Sequence, residues 1–281
     1  MDRIIKMVAM DLDGTLLLDD KTIHPYSLEV MKKAVDAGTA VVIATGRPFT
    51  AVPEVLRTFP GITYVMTSNG ARVIDIRDNH TVIAHPLPRE KALKALEIGE
   101  KYDTLQEVYY EGQGYADTEK MKKVKIYHKN PNMWEYFLNT RQGVDSVIEL
   151  ARTTDNDMDK MQMLFANLEE RPAALADLQE LGGYEIADSV GYNLEINAAG
   201  VEKGGVLLEL GEKLGIRREE IMACGDGEND VTMIEKAGFG VAMANAVDSV
   251  KAVADHITVS NEELGVAKAI EQFVLRGGET C

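Results

Sequence analysis

The sequence predicts an α/β fold whose doubly wound parallel sheet is interrupted by an α+β insert. Three observations predict it: short apolar runs with little alternation, helical segments between these runs, and a loss of this rhythm in the middle of the chain. Apolar runs without alternation are typical of strands that are covered on both faces, as in a parallel sheet. Regular alternation of such strands with helices indicates the doubly wound class.

The first part of the chain alternates strands with helices. Pro25 stands near the start of the first predicted helix and Gly38 at its end, where proline and glycine are favoured. The predicted elements are a strand from 4 to 10, a helix from 24 to 38, a strand from 40 to 44, a further helix, and a strand from 62 to 66.

The pattern changes after Gly70 and returns near residue 198. The turn residues Asp78 and Asn79 predict a hairpin over 71–86, and the strands and helices that follow are mixed as in an α+β domain. The predicted elements after the hairpin are a helix at 89–102, strands at 108–110, 122–128 and 161–166, a helix at 169–181, and strands at 184–188 and 193–196. We therefore expect one domain made of residues 1–82 and 198–281, with a second domain, 83–197, inserted in it.

The buried-strand rhythm of the first part resumes after the insert. The predicted elements are a helix at 204–214, a strand at 220–224, a helix at 230–237, a strand at 239–243 and a final helix at 264–274. These elements complete the α/β domain that the insert divides.

The net charge excludes some classes of ligand. Of the 281 residues, 46 are acidic and 30 are basic, which gives a formal charge of -16. This excess argues against binding nucleic acid or an anionic membrane by bulk charge, and it raises the question whether some carboxylates hold a metal cation. We find no secretory signal and no segment near the ~18 apolar residues of a membrane span. Because only Cys224 and Cys281 are present, we expect reduced thiols and a cytoplasmic protein.

Polar side chains stand where the predicted parallel strands end. Asp11 follows the first strand and Thr45 the second, while Asp226 follows the strand that ends near Gly225 and Lys203 lies just ahead of a helix. Ligands of open α/β sheets bind at the carboxyl ends of the strands. We therefore expect these side chains to meet at one edge of the sheet.

These residue types suit phosphoryl transfer assisted by a divalent cation. Mg²⁺ prefers one or two carboxylates, which Asp11 and Asp226 can supply, with water and substrate as its other ligands. Lys203 would add positive charge, and Thr45 with the backbone N–H groups after Asp11 would hydrogen-bond the phosphoryl oxygens. An aspartate can then attack phosphorus and form an aspartyl-phosphate. Asp13, two residues on, can donate a proton to the leaving oxygen and later take one from water.

Simpler interpretations exist for each motif alone. The segment Asp-Leu-Asp-Gly at 11–14 also fits a plain turn, since aspartate and glycine favour turns. The segment Gly-Asp-Gly-Glu-Asn-Asp at 225–230 also fits a turn with a helix cap or a fragment of a calcium loop, although it lacks the EF-hand spacing. The presence of both motifs, with a threonine and a lysine in order between them, favours the phosphoryl-transfer site.

The complete motif set resembles the haloacid dehalogenase (HAD) superfamily of phosphohydrolases. Its four motifs match Asp-Leu-Asp-Gly-Thr at 11–15, Thr45, Lys203, and Gly-Asp-x-x-Asn-Asp at 225–230. Further segments resemble the Cof-type, YidA-like sugar-phosphate phosphatases: Ala-Thr-Gly-Arg at 44–47, Ser-Asn-Gly-Ala at 68–71, Leu-Glu-Ile at 194–196 and Gly-Val-Ala-Met-Ala-Asn-Ala at 240–246. The resemblance implies a Rossmann-like core and identifies the insert as a C2-type cap domain.

The resemblance also implies roles by position. Asp11 would be the nucleophile and Asp13 the general acid and base. The implied metal ligands are Asp11, Asp226 and the backbone carbonyl of Asp13, and Asp230 would orient Lys203 or a metal-bound water. The implied phosphate-binding positions are Leu12, Thr45, Gly46, Lys203 and Asn229, and the possible substrate contacts are Arg47 and Asn69.

The predicted function is Mg²⁺-dependent hydrolysis of small phosphorylated metabolites, with sugar phosphates as the expected class. A cap of about 110 residues on two hinges would close over the site and exclude large phosphoproteins. We expect a small-molecule phosphate ester as partner, no nucleic acid, no membrane, and a monomer or homodimer. Two alternatives stay open: a phosphomutase on the same scaffold, and a receiver-like signalling domain that keeps a phosphoaspartate.

Overall fold

The computed structural model describes residues 4–189 and 191–275, so Cys281 lies outside the described residues. Its strands are Met7–Met10 (β1), Ala40–Ala44 (β2), Ile62–Thr67 (β3), Arg72–Asp75 (β4), His80–Ala84 (β5), Thr104–Tyr110 (β6), Gln113–Asp117 (β7), Arg141–Val144 (β8), Lys160–Phe165 (β9), Tyr184–Ala187 (β10), Asn193–Ala198 (β11), Ile221–Gly225 (β12), Phe239–Ala242 (β13) and His256–Ile257 (β14). Its α-helices are Pro25–Asp36 (α1), Glu54–Arg57 (α2), Arg89–Gly99 (α3), Thr118–Met121 (α4), Val124–Tyr127 (α5), Asn132–Thr140 (α6), Val147–Thr153 (α7), Arg171–Leu181 (α8), Lys203–Lys213 (α9), Val231–Lys236 (α10), Asp248–Val253 (α11) and Gly265–Ile270 (α12).

The chain folds into two compact units. The first takes in the described parts of Met1–Gly46, Pro53–Ile83 and Glu202–Cys281. The second consists of Arg47–Val52 and Ala84–Val201. Each unit has its own sheet, and the two sheets differ in class.

Within the described residues, the first unit is built on an eight-stranded sheet in the order β14-β13-β12-β1-β2-β3-β4-β5. The pairs from β14 to β3 are parallel, and β3 pairs with β4 in antiparallel fashion. All four residues of β1 are fully buried, which explains their unalternating apolar sequence. The fold class predicted from the sequence is confirmed.

Three of the predicted site residues follow the carboxyl ends of three neighbouring parallel strands. β1 lies between β12 and β2, with Met10 opposite both Cys224 and Ile43. Asp11, Thr45 and Asp226 each follow the last residue of one of these strands. Because parallel strands end on the same side of a sheet, three segments distant in sequence deliver these residues to one edge.

The second unit is built on a six-stranded sheet in the order β10-β11-β9-β6-β7-β8, again within the described residues. Its pairs are antiparallel except for β7 with β8. One sheet face forms an apolar core in which Val108 and Met161 pack with residues of α3, α7 and α8. This mixture of antiparallel strands and helices is the α+β architecture expected of the insert.

One predicted strand of the second unit is instead a short helix. Residues 122–128 alternate apolar and charged residues, which predicts a strand, yet Val124–Tyr127 is helical. Val124 and Tyr127 are three positions apart and both are buried in an apolar cluster with Phe137, whereas Ile126 is about half exposed. Tertiary packing therefore selects a helical turn over the local alternation.

The search for membrane-spanning helices covered the described residues. None of the helices found there has both the length and the apolar character needed to cross a bilayer.

Candidate active site

A buried lysine holds the predicted nucleophile. Lys203 is the first residue of α9 and has no exposed surface, and its Nζ donates to Oδ1 of Asp11 at 2.7 Å. The same Nζ donates to Oδ1 of Asp230 at 2.7 Å. One cation thus joins the end of β1 to the segment after β12, and it fixes one oxygen of the Asp11 carboxylate.

Both carboxylate oxygens of Asp230 accept hydrogen bonds from neighbouring segments at this edge of the sheet. While its Oδ1 accepts from Lys203, its Oδ2 accepts from the backbone N–H groups of Asp226 at 2.9 Å and Gly227 at 3.1 Å. The carboxylate is fully buried. These contacts hold the loop after β12 in shape and fix Lys203 between Asp230 and Asp11.

Asp226 sits against the tight turn that follows β1. Thr15 Oγ1 donates to Asp226 Oδ1 at 2.7 Å. Gly14 has φ +76°, and a Cβ added to it would lie 2.3 Å from Asp226 Oδ2. Only glycine permits both this backbone conformation and this approach, so the turn brings the first and fourth motifs into contact.

Burial and crowding disturb the ionisation of these carboxylates. Burial raises the pKa of Asp11 to about 7; Lys203 opposes this rise, and the Asp230 and Asp13 carboxylates add to it. Burial, followed by repulsion from Asp230 and Asp11, raises the pKa of Asp226 to about 8. Burial lowers the pKa of Lys203, but the two carboxylates outweigh it, so the pKa lies above its usual range and the lysine stays charged.

The acidic cluster fits a hard divalent cation. Asp11, Asp226 and Asp230 each offer a carboxylate oxygen, and these atoms lie within 4.8 Å of one another. Oxygen donors of this kind suit Mg²⁺. The pKa values of Asp11 and Asp226 are raised first by burial and then by repulsion between the carboxylates, and a bound cation would relieve that repulsion.

Asp13 lies in the same loop but at its surface. Its Oδ1 pairs with Lys21 Nζ at 2.9 Å, and about a third of its side chain is exposed. The loop is tied to the C-terminal part of the unit, because Asn245 donates to the Gly14 carbonyl at 2.8 Å and Asn261 to the Leu17 carbonyl at 3.0 Å. A partly exposed carboxyl on an anchored loop suits proton exchange with a ligand.

The remaining predicted positions of the first unit lie in the segments that follow β1, β2, β3 and β12. Leu12 is fully buried and Thr45 almost so, and Gly46 directly follows Thr45. The Thr45 carbonyl accepts from the Asn69 N–H at 3.1 Å, and Asn229 Nδ2 donates to Asn69 Oδ1 at 3.1 Å. The structure therefore brings together residues from the ends of β2, β3 and β12.

Arg47 is the one predicted site residue that belongs to the second unit. Its Nη1 donates to the Ala51 carbonyl at 3.0 Å, and its guanidinium lies 4.2 Å from the centre of the Tyr136 ring. Cys224, by contrast, is a buried residue of β12, and burial raises the pKa of its thiol to about 12. It is a residue of the core.

Several residues that contribute to the site have no predicted role. Thr15 belongs to the motif at 11–15 without a predicted role of its own, yet its hydroxyl donates a hydrogen bond to Asp226. Lys21 forms an ion pair with Asp13, and its own backbone lies in the left-handed region at φ 68°. Nothing in the local sequence predicts this ion pair. Glu202, which precedes Lys203, caps α9 by accepting from the backbone N–H groups of Gly204 and Gly205 at 2.8 Å.

A family model described as haloacid dehalogenase-like hydrolase matches residues 8–270. This chain belongs to that family. The resemblance predicted from its motifs is therefore confirmed, and the match spans both units of this haloacid dehalogenase-like hydrolase.

Characterised relatives of this hydrolase are phosphatases. It is 33% identical over 271 residues to the 5-amino-6-(5-phospho-D-ribitylamino)uracil phosphatase YcsE of Bacillus subtilis (strain 168), covering 96% of each chain. It is 31% identical over 286 residues to the pyridoxal phosphate phosphatase YbhA of Escherichia coli (strain K12), covering 96% of this chain and 99% of that one. The solved HAD subclass IIB sugar phosphatase BT4131 matches with a TM-score of 0.81 and 27% identity, over 95% and 98% of the two chains. The protein is a phosphoric monoester hydrolase.

Proposed function

We propose that this enzyme hydrolyses small phosphorylated metabolites with Mg²⁺, through an aspartyl-phosphate on Asp11. The observation that carries the proposal is the contact between Asp11 and the fully buried Lys203, beside two further carboxylates at the same sheet edge. A nucleophilic carboxylate needs neighbouring positive charge to approach an anionic phosphate ester. Lys203 supplies part of that charge.

Asp11, Asp226 and the backbone carbonyl of Asp13 would hold the Mg²⁺. Asp230 is the less suited ligand, because its two oxygens already accept three hydrogen bonds. When bound, Mg²⁺ would neutralise charge on the phosphoryl oxygens. Thr15 keeps one oxygen of Asp226 engaged and so fixes the orientation of that carboxylate.

In the first half-reaction, a carboxylate oxygen of Asp11 attacks phosphorus. The bond from phosphorus to the ester oxygen breaks, and Asp13 gives that oxygen its proton, so an alcohol leaves. Lys203, together with Thr45 and the N–H groups near Leu12, Gly46 and Asn229, would hold the phosphoryl oxygens.

In the second half-reaction, water replaces the alcohol. Asp13, now ionised, takes a proton from the water as its oxygen bonds to phosphorus. The bond between phosphorus and Asp11 breaks, phosphate leaves, and both aspartates return to their starting states. The partly exposed position of Asp13 beside Lys21 would allow it to serve both steps.

A small, polar metabolite is the substrate class that we favour. The relatives named above act on a ribityl phosphate, on pyridoxal phosphate and on sugar phosphates, by their names, and sugar phosphates match the expectation from the sequence. We further propose that the second unit is the cap implied by the family resemblance, and that Arg47 and Asn69 contact the substrate.

The proposal is tested by phosphate release from a panel of phosphorylated metabolites, with Mg²⁺ or with EDTA. Asp11→Asn is expected to abolish turnover, because an amide is neither a nucleophile nor a good Mg²⁺ ligand. Asp36→Asn, at an exposed carboxylate paired with Lys32, is the matched control and should keep full activity. Retained phosphatase activity in Asp11→Asn would overturn the assignment, and isomer formation without free phosphate would favour a phosphomutase.

A further inference from the structure

A strained turn follows β3 in the first unit. Ser68, Asn69 and Gly70 have φ values of 51°, 58° and 103°, so three residues in succession lie at positive φ. Glycine adopts this region at no steric cost and asparagine tolerates it, whereas other residues seldom enter it. Strained backbone of this kind persists only where the surrounding structure holds it, and it is concentrated at functional sites.

Close packing against α9 holds this turn in place. All three residues of the turn are buried. A Cβ added to Gly70 would lie 3.0 Å from Cγ2 of Val206 and 3.3 Å from the carbonyl oxygen of Glu202. The turn therefore lies directly against the first turn of the helix that begins with Lys203.

Asn69 connects the turn to two other segments of the first unit. Its backbone N–H donates to the Thr45 carbonyl at 3.1 Å, so it fixes the chain directly after β2. Its side-chain Oδ1 accepts from Nδ2 of Asn229 at 3.1 Å. Thr45 and Asn229 are both proposed phosphate-binding residues, and the nearly buried Asn69 is bonded to each of them.

The bond between the two asparagines determines how Asn229 presents its amide group. The carbonyl oxygen of an amide accepts hydrogen bonds, whereas its NH₂ group carries two donor hydrogens. Because Asn69 contributes an acceptor, the NH₂ group of Asn229 is held towards it. One hydrogen is used in this bond, and the second can donate to a phosphoryl oxygen. Rotated by 180°, the amide would present its carbonyl oxygen instead, which repels an anionic phosphate.

We propose that Asn69 is a positioning residue that acts through Asn229, by holding the Asn229 amide with its NH₂ group available to the transferring phosphate. The inference rests on the proposed function, because it assumes that Asn229 binds this phosphate. It goes beyond the substrate contact proposed for Asn69, since the effect requires no contact between Asn69 and the ligand. The same role explains the strained turn, which carries the side chain of Asn69 to Asn229 and its N–H to Thr45.

Orthovanadate tests the inference, because it mimics the phosphoryl group and carries no leaving group. Its inhibition constant is measured against p-nitrophenyl phosphate with Mg²⁺. Asn69→Gly removes the acceptor for Asn229, but glycine accepts the positive φ, so the backbone bond to Thr45 is kept. This change should raise the inhibition constant by roughly 3- to 10-fold, the usual effect of one hydrogen bond. Asn229→Ala removes the donor itself and should raise it by roughly 10- to 100-fold, as expected for a hydrogen bond to a charged group.

A double-mutant cycle separates positioning from direct contact. If Asn69 acts through Asn229, Asn69→Gly should have no further effect in a chain that already carries Asn229→Ala. The double variant should then bind vanadate within about twofold of Asn229→Ala alone. Effects that add in full would mean that Asn69 contacts the ligand directly, and the inference would be overturned.

Asn79 provides the matched control. It also lies at positive φ, 57°, in an exposed turn of the first unit, so Asn79→Gly should leave the vanadate inhibition constant unchanged. Thermal unfolding gives the Tm of each variant, and the assays are run below it. An Asn69→Gly enzyme with the inhibition constant of the wild type would also overturn the inference. Failure of the wild type to release phosphate from p-nitrophenyl phosphate with Mg²⁺ would instead contradict the proposed function.

Discussion

Binding of Mg²⁺ to this site is expected to release protons. Without the cation, burial and mutual repulsion hold the pKa of Asp11 at about 7 and that of Asp226 at about 8. A carboxyl group must be ionised to act as a metal ligand, so each protonated group gives up its proton on binding. The prediction is tested by titrating metal-free protein with Mg²⁺ at a series of pH values.

The two pKa values give the size of the effect. At pH 7 Asp11 is half protonated and Asp226 about nine-tenths, so binding should release ~1.4 protons. The same reasoning gives ~1.9 protons at pH 6 and ~0.1 at pH 9. The released protons come from the pair as a whole, since the two carboxyl groups interact.

Isothermal titration calorimetry in two buffers of different ionisation enthalpy measures this number. Asp226→Asn should lower it by about one proton at pH 6, because one ionisable ligand is gone. Asp36→Asn, which alters an exposed carboxylate, should leave it unchanged. Release of fewer than ~0.3 protons by the wild type at pH 6 would refute the reasoning, since the carboxyl groups would then already be ionised.

The same pKa values predict how stability depends on pH. Both folded pKa values are raised above the value of 3.8 for an unperturbed aspartate, so the folded state binds more protons than the unfolded state between about pH 4 and 8. The free energy of unfolding of metal-free protein should therefore fall as pH rises through this window, by ~4 kcal/mol for Asp11 alone. Stabilisation by Mg²⁺, measured as a rise in Tm, should grow over the same window.

Two further changes test neighbouring parts of the site. Asp13→Asn should slow hydrolysis of alkyl phosphates ~100-fold or more. It should slow hydrolysis of p-nitrophenyl phosphate far less, because a good leaving group needs no proton. Equal losses of rate on both substrates in a steady-state assay would contradict the role of Asp13 as general acid. Gly14→Ala should weaken Mg²⁺ affinity, because the added methyl group would press on Asp226 Oδ2. Gly38→Ala is the control: Gly38 also has a positive φ, but open space surrounds it, so this change should affect only stability. Equal Mg²⁺ affinities of the two variants in calorimetry would contradict the role of Gly14.

The sequence predicts which side chains meet at the sheet edge because the topology of the parallel strands brings them together. Asp11 and Lys203 are 192 positions apart, yet both belong to segments that end or begin at one sheet edge. Once the strands are recognised as parallel and buried, their carboxyl ends must meet, and the residues standing there can be read from the chain. The motif spacing carries this information without any knowledge of contacts.

The elements and contacts of the second unit are harder to predict from the sequence, for a physical reason. Segment 113–144 contains β7, α6 and β8, none of which the apolar pattern predicts, and its glycines serve close packing rather than turns. Glu107 and Arg141 form their ion pair across 34 positions and an intervening strand. Glu107 stands just before the strand predicted at 108–110, and only the tertiary fold shows that it belongs to β6 and is buried.

Asp230 offers the sharpest test of how the first unit's site is held together. Its two oxygens accept on both sides, from Lys203 on one and from the N–H groups of Asp226 and Gly227 on the other. An asparagine has one acceptor and one donor on its amide, so either rotamer places an NH₂ group against a donor. Asp230→Asn should therefore destabilise the protein by ~3 kcal/mol or more, the effect of breaking a buried ion pair.

The catalytic effect of this change separates positioning from simple loss of fold. With only Asp11 left as its anionic partner, Lys203 is held from one side, and kcat should fall while folded protein is still present at low temperature. Urea unfolding gives the stability and single-turnover assays give the rate. A stability near wild type would mean that the loop after β12 does not depend on Asp230, and an unchanged kcat in folded protein would mean that Asp11 alone is enough to position Lys203.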